Sequence, residues 1–363
     1  MQEFKPIKLV LEDGTVFKGK SFGYHQSVAG EVVFNTAMTG YPESLTDPSY
    51  KGQLLVATYP LIGNYGVPGD EKENGIPQFY ESDQIHVSAF IISEYSTEHS
   101  HWNADKSLGD WLKEHKVPGM FGIDTRALTK IIREKGVMLG KIIADDADVD
   151  FYDPNQDNLV DMVSCKEKIV YGNGQHKVVL VDTGAKYNIF RCLLRRDTTL
   201  IRVPWDYDFT QEDYDGIMLS NGPGDPEVCE ATVQNIRKAL DDDKPIFGIC
   251  LGNQLMGLAA GGGTHKLKYG HRSHNQPVRE LGTNRCYITS QNHGFVLDTE
   301  SLKKDWEPSF VNVNDDTNEG IKHKSKPFFS TQFHPEASSG PTDTEFLFDV
   351  FIDKIVDYKN NKK

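Results

Sequence analysis

Apolar and polar positions alternate through "KLVLEDGTVFKG" (8–19) around an Asp-Gly turn signal, and "GEVVFNT" (30–36) follows, which predicts short strands at the start of the chain. "HVSAFIIS" (86–93) reads as another strand and "LGDWLKEH" (108–115) as a helix. In "DTRALTKIIREKG" (124–136) Asp124 marks a helix start, apolar residues recur at helical spacing, and Gly136 marks the stop. Residues 1–150 are therefore assigned to a domain that mixes strands and helices.

The run 146–176 is polar and acidic, with turn signals at Pro154-Asn155 and Gly172-Asn173-Gly174, so residues 151–176 are expected to form a linker. Beyond it the pattern changes to apolar strands alternating with helical segments. "KVVLVDTG", "NIFRCLLRRD", "TTLIRVPW", "YDGIMLSNGPGDP", "EATVQNIRKALDD", "PIFGIC" and "LGNQLMGLAAGG" follow one another. Such alternation predicts, for residues 177–363, an α/β domain with a mostly parallel central sheet. Ligands of such sheets sit at the carboxyl ends of the strands, which places "SNGPGDP" and Cys250 on that edge.

Composition narrows the function classes. With 363 residues, 38% hydrophobic, the chain is long enough for two cores, and a formal charge of −14 argues against nucleic acid or anionic membrane as partner. The N-terminus lacks the apolar core of a signal peptide and no stretch has the length of a membrane span, so a cytoplasmic protein is expected. Cys165, Cys192, Cys229, Cys250 and Cys286 form no C-x-x-C, and reduced thiols are expected. His99 and His101 offer two ligands without a third, so no metal site is expected there.

Gly248-Ile-Cys250-Leu-Gly252 has the spacing of a nucleophile elbow, a sharp strand-to-helix turn that projects the central side chain. A helix N-terminus there favours thiolate, and the N–H of Leu251 is available to an oxyanion. Taken singly, a buried cysteine more often packs as a small hydrophobe. A thiolate mechanism needs a base and a carboxylate to orient it, and "STQFHPEASSG" supplies His334 and Glu336 after an apolar strand. "SNGPGDP" reads either as a tight turn or as a loop whose Gly222 and Gly224 N–H groups complete the oxyanion hole; it lacks the ending of a Walker A loop.

Together "GICLGNQL", "SNGPGDP" and "FHPEAS" resemble the class I (triad) glutamine amidotransferases, over roughly residues 177–358. The resemblance implies Cys250 as nucleophile, His334 as base and then acid, and Glu336 as its orienting partner. "GEVVFNTAMTGYPESLTDPSYKGQLLVATYPLIGNYG" and "GIDTRALTKIIREKG" are similar to the N-terminal domain of the carbamoyl-phosphate synthase small-chain family, which other amidotransferases lack. By the same resemblance glutamine is held by Ser49, Gly222, Gly224, Leu251, Gln254, Asn292, Gly294 and Phe295, from both domains. Read alone, Ser49 is a turn residue, Gln254 a polar surface residue and "QNHGF" a loop in which Gly294 permits a positive φ. Asn253 stands where many relatives have His, and Thr183 where relatives often carry an aromatic residue or Cys.

The implied function is that of a glutaminase subunit of carbamoyl-phosphate synthase. No cofactor is expected in this chain; ATP and Mg are expected on a separate large synthase chain, with higher assembly of small–large heterodimers open. The product feeds arginine or pyrimidine synthesis. The alternatives are the glutaminase subunit of another amidotransferase, such as one for anthranilate or guanine nucleotides, a cysteine peptidase or γ-glutamyl hydrolase, and a non-catalytic regulatory subunit of an ammonia-dependent synthase.

Overall fold

The computed structural model describes residues 3–361. The chain divides into two compact units between Asp157 and Asn158. In the first, the predicted early strands close into a barrel, ordered Pro6–Leu11, Met138–Ala144, Val28–Asn35, Gln53–Ala57, Ala89–Ile91, Gly119–Phe121 and Val16–Ser21. Helix Thr125–Lys135 starts where its cap predicts, the Asp124 carboxylate accepting the Ala127 N–H at 2.8 Å, and stops at Gly136 with φ 105°. Helix Leu108–Glu114 is capped by Ser107 in the same way. An aromatic-rich core forms around Phe22, Tyr50, Phe90 and Trp111.

The second unit is built on a ten-stranded sheet. At its centre, strands Thr198–Pro204, His176–Asp182, Gly216–Leu219, Ile246–Ile249 and Phe328–Thr331 lie parallel. Each run of the alternating pattern up to residue 259 forms its expected strand or helix. The expected parallel strands form the centre of the sheet, and the outer strands are antiparallel. Ile169–Tyr171 adds at one side; Asn318–His323, Trp306–Asn312, Gly263–Glu280 and Cys286–Asp298 extend the other. The physical reason is connectivity: Gly263–Glu280 with Cys286–Asp298, and Trp306–Asn312 with Asn318–His323, are each joined by a short turn, which suits antiparallel neighbours, whereas the crossover helices that link the parallel strands end at residue 259.

The run 151–176, expected as a linker, carries structure of its own. Its first part belongs to the first unit, where Pro154 packs against Gly52 and the Asn155 amide donates to Glu31 at 3.3 Å. Its second part carries helix Leu159–Val163, capped by Asn158, and the edge strand Ile169–Tyr171. Val160 is fully buried in the core of the second unit. A polar run hid these elements because so few apolar side chains anchor them.

What anchors this segment from the sheet is Asp182. One of its oxygens accepts the N–H groups of Gly184 and Ala185; the other takes the Cys165 N–H at 2.8 Å and the Arg202 guanidinium at 2.6 Å. All five cysteines are free thiols, and among the described residues no helix is long and apolar enough to cross a membrane. Asp182 is fully buried, so Asp182→Ala leaves the Arg202 charge unpaired; the expected cost is about 3–5 kcal/mol, read as a lower urea midpoint at unchanged slope.

Candidate functional site

The parallel strands deliver their following residues to one edge. Thr183 follows His176–Asp182, Ser220 follows Gly216–Leu219, Cys250 follows Ile246–Ile249, and His334 lies just beyond Phe328–Thr331. Cys250 is the turn itself, at φ 55° and ψ −104°, and helix Leu251–Ala259 starts immediately after it. A positive φ in a residue with a side chain is strained, by about 1–3 kcal/mol. Its N–H donates to Thr331 at 2.8 Å and the Gly252 N–H donates to Ser220 at 3.0 Å, which fixes the turn between two strands.

The flanking glycines are required by space. A Cβ on Gly252 would lie 2.3 Å from the Leu219 carbonyl oxygen, and one on Gly248 would lie 2.6 Å from the Gly252 oxygen. Gly222 is held the same way, since its Cβ would meet the Thr183 carbonyl oxygen at 2.0 Å. Gly224 has φ 84°. Thr183, for which no role was expected, locks this loop: its hydroxyl bridges the Ser220 and Asn221 carbonyls and its N–H donates to the Ser220 hydroxyl.

His334 and Glu336 form a buried pair. The Nδ1 of His334 lies 2.6 Å from Glu336 Oε1, which leaves Nε2, with no protein hydrogen-bond partner, as the atom available to Cys250. The His334 N–H donates to Ser290 at 2.9 Å, pinning this histidine to strand Cys286–Asp298. Lys186, which the sequence did not flag, completes the charge arrangement: its ammonium is 2.8 Å from the same Glu336 oxygen, and it too is buried. The Asn188 amide donates to the Glu336 carbonyl. Burial and Lys186 pull the His334 pKa down, but Glu336 and Cys250 outweigh them and raise it to about 9. Burial alone would raise the Glu336 carboxyl; Lys186 and His334 hold it well below the usual carboxylate range. His274 is a further neighbour, pushed down to about 4 by burial, then by the charges of Lys186 and His334.

Of the residues implied as glutamine contacts, Leu251 and Gln254 lie in the first turn of the elbow helix, and Asn292, Gly294 and Phe295 lie on strand Cys286–Asp298. The Cys250 thiol donates to the Asn292 carbonyl at 3.7 Å. "QNHGF" is therefore strand and not loop, and Gly294 is not among the residues with positive φ. Gln254 is buried rather than on the surface; its amide donates to Phe295 at 2.8 Å and to Gln332 at 3.2 Å. Asn253 donates to the same Gln332 oxygen and accepts from the Ser330 hydroxyl at 2.7 Å. Ser49 belongs to the first unit, where it lies buried in the short helix Pro48–Tyr50 and donates its N–H to Asp47. His101 accepts from Asn103 in an exposed turn.

The pH behaviour follows from these signs. His334 sits above its unfolded value, so its stabilising contribution is complete below an ordinary histidine pKa of about 6.5 and is lost as pH rises through about 9. Glu336→Gln removes the leading cause of the rise, and burial with Lys186 then dominates. The expected outcome is a His334 pKa lowered toward or below about 6.5, followed by imidazole NMR; an unchanged value would contradict the assigned cause.

Comparison with known proteins places both units. Residues 9–142 match the carbamoyl-phosphate synthase small chain, CPSase domain, and residues 179–354 match glutamine amidotransferase class-I. The chain is 52% identical over 358 residues to the "Multifunctional protein CAD" of Squalus acanthias, covering 97% of this chain and 16% of that one. It is 49% identical over 391 residues to "Multifunctional protein ura1" of Schizosaccharomyces pombe, with coverage of 98% and 17%. Against "Carbamoyl-phosphate synthase [ammonia], mitochondrial" of Homo sapiens it is 53% identical over 352 residues, covering 96% of this chain and 23% of that one. It thus spans between a sixth and a quarter of the length of these relatives. The chain belongs to the carbamoyl-phosphate synthase small-chain family, a CPSase domain followed by a class-I glutamine amidotransferase domain.

Proposed function

We propose that this chain is the glutaminase component of a glutamine-hydrolysing carbamoyl-phosphate synthase. The observation that carries the reading is the strained Cys250 at a helix N-terminus, on the same sheet edge as a buried His334 whose Nδ1 is committed to Glu336. In the proposed reaction the Cys250 thiolate attacks the side-chain amide carbon of glutamine, and backbone N–H groups around Leu251 and the Gly222–Gly224 loop receive the negative oxygen. His334 gives its proton to the departing ammonia. It then takes a proton from water, which cleaves the γ-glutamyl thioester to glutamate and restores the thiol. Glu336, held by Lys186, keeps the ring oriented with Nε2 toward sulfur.

Side chains and backbone suffice for these steps, and ATP, Mg and bicarbonate are assigned to a large synthase component that receives the ammonia. The length of the relatives supports such a component, either as a separate chain in a heterodimer or within one polypeptide. A cytoplasmic location is part of the proposal; the ammonia-type relatives are named mitochondrial. Those same names favour a second reading, a non-catalytic subunit of an ammonia-dependent synthase. Cys250 at its strained turn and the buried His334–Glu336 pair weigh against it.

Assay of carbamoyl phosphate synthesis with a synthase large chain separates the two. Cys250→Ser is expected to abolish glutamine-dependent synthesis, by at least about 1,000-fold, and to spare ammonia-dependent synthesis. Undiminished glutamine use by the variant would remove Cys250 from the mechanism, and a wild type that uses only ammonia would favour the second reading.

A further inference from the structure

Behind the Asn292 strand lies a cluster that the proposed hydrolysis does not use. His271 on strand Gly263–Glu280 and His293 on strand Cys286–Asp298 are directly paired across the ladder, with ring centroids 5.0 Å apart. Glu319, at the start of strand Asn318–His323, meets them, and one ligand-type atom from each of the three lies within 4.8 Å of the others. Glu319 is fully buried, and His271 and His293 are 7% and 5% exposed.

The hydrogen bonds fix which atoms face inward. His271 Nε2 lies 2.7 Å from the Asp315 carboxylate, to which it donates; Nδ1, the lone pair of the neutral ring, has no hydrogen-bond partner and lies 3.8 Å from Glu319 Oε1. His293 Nδ1 lies 2.9 Å from the Phe295 carbonyl, an acceptor only, so that nitrogen carries the proton and Nε2 of the neutral ring is also a lone pair. That Nε2 faces the Gln291 amide oxygen at 3.1 Å, because the Gln291 nitrogen is already donating to Glu319 and Thr289. Glu319 Oε1 accepts from Gln291 and Asn312, and its Oε2 is buried without a partner. In these tautomers two imidazole lone pairs and an amide oxygen converge with the Glu319 carboxyl, which burial pushes up to about 7, so an entering ion has at most the Glu319 proton to displace.

We propose that His271 Nδ1, His293 Nε2 and Glu319 Oε2, with Gln291 Oε1, bind a divalent transition-metal ion of the zinc class. Mixed imidazole and carboxylate donors suit such an ion, and tetrahedral bonds of ~2.0–2.2 Å require side-chain atoms that lie within 4.8 Å of one another to draw inward around it. The outer contacts have the form that metal-bound histidines use: Asp315 behind one ring and a backbone carbonyl behind the other, each fixing the tautomer that offers the inward nitrogen. The ion would fasten three strands together directly behind Asn292, whose carbonyl receives the Cys250 thiol. The site is independent of the chemistry proposed for Cys250.

The test uses the full chain carrying Cys250→Ser, so that the thiolate cannot compete for metal. After chelator treatment and dialysis against zinc, then against metal-free buffer, elemental analysis is expected to find one zinc per chain. Glu319→Gln keeps the shape and removes the charge; it is expected to weaken zinc on the order of 100-fold in competition with a chromophoric chelator, and Asp315→Asn by roughly 10–100-fold. Cobalt loading should give the visible absorption of a nitrogen- and oxygen-bound tetrahedral ion. No retained metal, a proton on His293 Nε2 in the presence of excess zinc, or equal zinc affinity in the Glu319→Gln chain with native circular dichroism would each overturn the proposal.

Discussion

Backbone packed against backbone at the carboxyl edge of the sheet is the constraint on which the second unit depends. The elbow helix can begin where it does only because position 252 carries no side chain against the Leu219 carbonyl, and position 248 none against the turn. Those contacts bring the helix start close to its neighbouring strand. Cys250 must then adopt a backbone conformation that an isolated chain would seldom visit. The hydrogen bonds to Thr331 and Ser220 hold it there, so the cost is met by the same ladder that places the next strands. Position and strain of the sulfur are thus products of sheet register.

Electrostatics supplies the second layer. Three ionisable groups, Lys186, Glu336 and His334, are taken out of water together, an arrangement that would be prohibitive for any one of them alone. Lys186 and His334 share a single Glu336 oxygen, so the carboxylate answers two cations at once and the ring is oriented by a charge that cannot easily move away. Asn188 and the Ser290 contact fix the backbone on which this pair sits.

How much of this could be read from the chain varies with sequence distance. The strand and helix alternation and the elbow were legible because periodicity and glycine spacing are local signals. His334 and Glu336 lie two residues apart after an apolar strand, and were found by asking what a thiolate requires. Lys186 was not legible: it lies 150 residues before Glu336 and looks like any polar residue opening a helix. Thr183 hides for the same reason, since its partners follow the adjacent strand. The antiparallel extension was missed because long strands with mixed polar faces lack the clean period of a buried run. Helix Leu159–Val163 was masked by the acidic residues that surround its few buried side chains.

Asn253 shows how such a network limits later change. Its amide is spent in both directions, accepting from Ser330 and donating to a Gln332 oxygen that Gln254 also uses. All four side chains are buried, so none can be exchanged for a residue of different bonding capacity without leaving another unsatisfied. Positions 253, 254, 330 and 332 therefore constitute one hydrogen-bonded unit. A histidine at position 253 would call for coordinated replacement on the strand that leads to His334.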